Sequence, residues 1–242
     1  MRISVVILVS CLLATCPLVG LVSTADAQIA PVINEFVNNH TGTDTYEFVE
    51  VFGEPNTDMS RYWVIGIEGD GAGAGTLDNV FRLTSTDSAG FWTTAFMSNE
   101  LENGTLTYLL VMDLAASEGE DLDQDNDGVI DWTAWGVVAD GVAVSDGDAS
   151  DITYTDVVLD PFFDGDPFAP GGASRIPNGL DTDTVGDWVR NDFDGAGLPG
   201  FMGEPSPGRA FNTPNAVNMI PEPGTLLLAG LGVLALALGK RR

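Results

Sequence analysis

Between Gln28 and Asn218 the apolar residues come in short runs, many alternating with polar ones. No window keeps the three- and four-residue apolar spacing that one face of a long helix needs. The runs VINEFV (Val32–Val37), YEFVEVF (Tyr46–Phe52), YWVIGI (Tyr62–Ile67) and VFRL (Val80–Leu83) predict strands. So do TYLLVM (Thr107–Met112), VIDWTAW (Val129–Trp135), GVAV (Gly141–Val144) and ITYTDVVL (Ile152–Leu159). β-Branched and aromatic residues dominate them, as a pleated, half-buried surface favours. Clusters such as GDGAGAG, SDGDAS and FDGDP separate the runs and supply turn residues. Many short strands divided by turns predict an all-β sandwich or barrel.

Both ends break this pattern. Met1 and Arg2 precede an apolar run that closes on Ala25-Asp26-Ala27, which predicts a secretory signal peptide over residues 1–27, cut before Gln28. Cys11 and Cys16 both fall inside it, so the expected mature chain has no thiol chemistry. At the other end, Pro221-Glu222-Pro223 interrupts the backbone, Thr225–Gly239 is uncharged, and Lys240, Arg241 and Arg242 follow. The prolines oppose a continuous helix. The apolar run predicts a short transmembrane helix, and the basic end stays cytoplasmic, leaving the body outside.

Charge sharpens the picture. Between Gln28 and Met219 five arginines and no lysine stand against 34 of the 36 acidic residues, a formal charge of −29. Such a surface repels nucleic-acid phosphates and attracts cations. A single domain is expected over residues 28–203, with a Pro/Asn/Gly-rich linker over 204–219 lifting it from the membrane.

The candidate chemistry lies in DLDQDNDGVID, Asp121–Asp131. Asp123, Asp125 and Asp127 alternate, Gly128 follows, and Asp131 comes three residues later. Alternate carboxylates can converge on one calcium ion while glycine takes the sharp turn. Ala134 occupies the place where a calcium loop flanked by helices would carry a bidentate glutamate. The same residues suit a hairpin turn at Asn126-Asp127-Gly128 between TYLLVM and VIDWTAW. Other acidic clusters (Asp146, Asp148 and Asp151 among them) read as turns, and His40 reads as an exposed loop residue. One histidine and no mature cysteine oppose zinc and the usual nucleophilic triads. Glu35, Glu47 and Glu50 are expected to face solvent or pair with Arg61 or Arg82; the alternative is a carboxylate-based hydrolase acting on glycans or phosphodiesters.

Two resemblances add to this. Residues 220–242, with Pro-Glu-Pro, a short apolar stretch and a basic end, resemble the PEP-CTERM sorting signal of exported bacterial proteins. That resemblance implies recognition of Pro221, Glu222 and Pro223 by an exosortase, a membrane cysteine transpeptidase. It implies an inner-membrane anchor before processing, then delivery to the cell surface or exopolysaccharide matrix. The body, from INEF (Ile33–Phe36) and TYEFVEVF (Thr45–Phe52) to GDW (Gly186–Trp188) and TPNAVN (Thr213–Asn218), resembles the lamin tail domain. This second resemblance implies a single immunoglobulin-like β-sandwich with no shared catalytic residues. The reading favoured together is a non-enzymatic exported surface or matrix protein with an adhesive, structural or binding role, structural calcium in the Asp loop, and exopolysaccharide as a candidate partner.

Overall fold

Ten strands and two three-residue 3-10 helices form among residues 29–221, the part that the computed structural model describes. The expected signal peptide, apolar tail helix, Glu222 and Pro223 lie outside those residues. Among the described residues no helix is long and apolar enough to cross a membrane.

The first sheet joins β1 (Val32–Val37), β2 (Phe48–Phe52), β5 (Phe91–Thr93), β9 (Gly172–Arg175) and β10 (Trp188–Arg190) in the order β10-β9-β1-β2-β5. The second joins β3 (Tyr62–Glu68), β4 (Leu77–Arg82), β6 (Leu106–Met112), β7 (Val137–Val144) and β8 (Val158–Leu159) in the order β4-β3-β6-β7-β8. Every pairing is antiparallel except β7 with β8. Ile33, Phe36, Val49 and Val51 of the first sheet share one core with Val64, Tyr108, Leu110 and Val142 of the second. The Phe36 and Tyr108 rings meet across it at 5.2 Å. Two facing sheets around one core are consistent with a β-sandwich.

A buried ion pair ties the layers together. Arg175 on β9 donates to both carboxylate oxygens of Asp140 on β7, at 2.9 and 3.1 Å, and to the Ile33 carbonyl at 2.8 Å. Asp140 accepts the Ile33 amide at 2.7 Å, and the guanidinium lies over the Trp188 ring. Taking a guanidinium out of water is costly, and this set of acceptors offsets the cost.

The outer face of each sheet is also covered, so strands such as β1 and β6 are buried almost throughout. Residues 113–136, between β6 and β7, fold back over the second sheet. There Leu122, Ala134, Ile130 and Trp135 pack on Ile65, Ile67, Leu77, Leu109 and Val111. This corrects the strand and hairpin expected at VIDWTAW. Residues 129–135 form no strand, and β6 pairs with Val137–Val144 instead. The apolar residues of the run anchor an irregular loop. Of the strand expected over Ile152–Leu159, only Val158–Leu159 forms.

The segment expected as a linker is packed as well. Ala210, Asn212 and Asn218 are buried, and the Asn218 amide donates to the carbonyls of Asn34 and Arg175. Side-chain hydrogen bonds hold it to the first sheet, which composition alone does not reveal.

Candidate functional site

The acidic loop is built around Asp123. Leu122 is buried beneath it, and its amide donates to the Gly75 carbonyl, which docks the loop beside the turn before β4. Gly75 has φ +89°, and a Cβ there would lie 2.7 Å from the Asp123 Cβ, so only glycine admits this approach. Asp123 is fully buried. It accepts the amides of Asp127 at 3.2 Å and Gly128 at 2.9 Å, and the Tyr154 hydroxyl at 2.9 Å. Gly128, at φ +86°, makes the sharp turn expected of it.

Asp123, Asp125 and Asp131 each bring a carboxylate oxygen within 4.8 Å of the other two. Asp125 and Asp131 are exposed and form the open side. The charge of Asp127, with burial and Asp131 following, raises the Asp125 carboxyl above its usual range. Asp127 is not in the group; its side chain accepts the Val129 amide at 2.9 Å and closes a local turn. Three of the four aspartates singled out in the sequence therefore converge. Three oxygens on one side, with open solvent on the other, match the hard-oxygen preference of calcium. Tyr154, which orients Asp123 from 31 residues away, is not foreseen by any local spacing.

Two further acidic groups form from residues distant in the chain. Asp70, Asp146 and Asp151 converge to within the same 4.8 Å, as do Glu68, Asp78 and Glu102. Asp146 and Asp151 come from a cluster that reads as a turn, and Asp70 joins them from just past the end of β3.

The glutamates behind the hydrolase alternative occupy different surroundings from those expected. Glu35, Glu47 and Glu50 are fully buried, and none pairs with Arg61 or Arg82. Glu35 and Glu50 stand opposite each other in the β1–β2 register. Glu35 accepts from Asn191 and from the Thr213 amide, each at 2.9 Å. Glu50 accepts from Asn34 and Thr93, each at 2.9 Å, and from the Asn215 amide. Burial, followed by the charge of Glu50, pushes the Glu35 carboxyl up to about 8, and burial pushes Glu50 up to about 7. The segment from Thr213 to Asn218 closes over both, so the pair fastens the end of the body to its first sheet.

His40 is likewise buried rather than exposed. Its Nδ1 lies 3.0 Å from the Thr41 carbonyl, and Nε2 accepts the amides of Thr45 and Tyr46. That pattern holds a neutral ring with its proton on Nδ1. The imidazole is a turn support packed edge-on to Phe201.

The body therefore continues in packed form to Asn218, and the Phe211 amide still bonds the Met219 carbonyl. The next residue opens a different kind of sequence. Residues 220–242 match the PEP-CTERM protein-sorting motif. The PEP-CTERM motif implies an exported protein, held transiently at a membrane and processed by an exosortase, a membrane protease. No curated protein and no solved structure matched the chain.

Proposed function

We propose that this chain is an exosortase-processed surface or matrix protein whose body resembles the lamin tail domain and serves a binding, adhesive or structural role without catalysis. The observation that carries the reading is the PEP-CTERM match over residues 220–242, joined to a β-rich body that stays packed to within two residues of it. Processing near Pro221-Glu222-Pro223 then releases the body as one folded unit. The strong negative charge suits a medium rich in cations and disfavours anionic partners. Calcium held by Asp123, Asp125 and Asp131, with Asp127 shaping the turn, is a structural support of the loop in this reading. Exopolysaccharide is the partner class this destination favours.

Replacing Pro221, Glu222 and Pro223 together by alanine tests the sorting step in the native host. Accumulation of the full-length chain in the membrane fraction, with loss of the surface form, is the expected result. Unchanged surface release would overturn the proposal.

A further inference from the structure

One end of the sandwich carries more buried oxygen acceptors than its own donors satisfy. Asn38, Glu47 and Asn79 all fasten on the backbone of Glu100–Glu102. The Asn38 amide donates to the Glu102 carbonyl at 3.0 Å, and the Asn79 amide to the Glu100 carbonyl at 3.2 Å. Glu47 Oε2 accepts the amides of Glu100 and Leu101 at 2.7 and 3.2 Å. These bonds fix which atom of each side chain is left over. The remaining oxygens, Asn38 Oδ1, Glu47 Oε1 and Asn79 Oδ1, are buried and unpartnered, and so is the Tyr108 hydroxyl. All four residues are at most 3% exposed. An orphaned buried acceptor carries the full cost of its lost hydration.

The neighbouring charges point the same way. Glu68, Asp78 and Glu102 place carboxylate oxygens within 4.8 Å of one another and are half-buried. They take part in none of the ion pairs among the described residues. Asn79 follows Asp78 at the register shift between β3 and β4, and lies opposite Gly66. Its Oδ1 would sit 2.8 Å from a Cβ at Gly66. Gly66 and Glu68 share a face of β3 because strand side chains alternate. The orphaned amide oxygen therefore lies on the face from which Glu68 projects. Tyr108 stands opposite Gly66 in the β3–β6 register, so its ring shares that face.

We propose that Glu68, Asp78 and Glu102, backed by Asn79 Oδ1, form a second divalent-cation site, for calcium, that pins β3, β4 and the residue 100–102 segment together. An all-oxygen donor set of mixed carboxylates and amide carbonyl suits calcium. The site is separate from the Asp123 loop and does not depend on calcium binding there.

Calcium titration calorimetry on the full-length chain in detergent, after chelation, tests it. The variants are Asp78→Asn/Glu102→Gln, Asp125→Asn, and the combination. The first should lose one calcium equivalent, or weaken it by at least about tenfold, while Asp125→Asn keeps that equivalent. In chelator the Asp78→Asn/Glu102→Gln protein should unfold at a temperature equal to or above the parent's, because like charges have been removed. Equal calcium equivalents and affinities in parent and variant would overturn the proposal and leave the acceptors to bound water. If that pair of changes prevents folding, Glu68→Gln is read by the same titration and the same two outcomes.

Discussion

Glu35 and Glu50 hold the closing segment and form no ion pair among the described residues, which gives the body an unusual pH response. Both carboxyls titrate higher in the folded chain, at about 8 and about 7, than the ordinary value of 4.5. Between those limits the unfolded chain has released protons that the folded chain retains, so stability falls as pH rises from about 4.5 to about 8. Thermal unfolding followed from pH 5 to pH 8 should show a falling midpoint. A midpoint that holds or rises across that window would contradict the assignment. Arg175 makes the opposite kind of contact, a buried charge that is fully partnered. Arg175→Met strands Asp140 in the interior and should cost about 3–5 kcal/mol by denaturant unfolding. A loss under about 1 kcal/mol, the range of an exposed pair, would mean that the pair does not bridge the sheets. Neither role is visible in the sequence. A glutamate in a strand reads as solvent-facing until the segment that covers it, here more than 160 residues away, is known.

Among the elements, those with alternating or continuous apolar residues were legible: β1, β2, β3 and β6 fall on the expected runs, and β4 overlaps its run at Val80–Arg82. β9, Gly172–Arg175, was not, because Gly and Ala carry little strand preference. Gly172 is there for clearance, since a Cβ would lie 2.6 Å from the Phe36 carbonyl. VIDWTAW misleads for the opposite reason. Its apolar residues have the spacing of a strand, yet Ile130, Ala134 and Trp135 serve to press an irregular loop onto the second sheet. The Asp pattern itself was legible, because alternate carboxylates and a glycine encode a local turn. Its buried anchor, made by Tyr154 and by clearance at Gly75, was not. Adding calcium to chelated protein should raise the unfolding midpoint. Asp125→Ala should reduce that rise, because Asp125 is on the exposed side of the group and its loss leaves no cavity in the core. An identical rise in variant and parent would remove the loop from the calcium account.

The whole molecule joins two regions of very different legibility. The C-terminal 23 residues carry the sorting motif in their sequence alone. The body conveys its fold class through strand pattern and its negative charge through composition, but its polar interior emerges only from long-range packing. Such packing also brings the body close to the motif, since Asn218 is buried only three residues before Pro221. In the proposed reading, processing near Pro221-Glu222-Pro223 acts close against a folded domain. The most direct test is the intact mass of the surface-located protein from cells with and without the exosortase. A form lacking the residues beyond the Pro-Glu-Pro region, present only when the enzyme is present, is the predicted result. A full-length C-terminus through Arg242 in both strains would contradict the account.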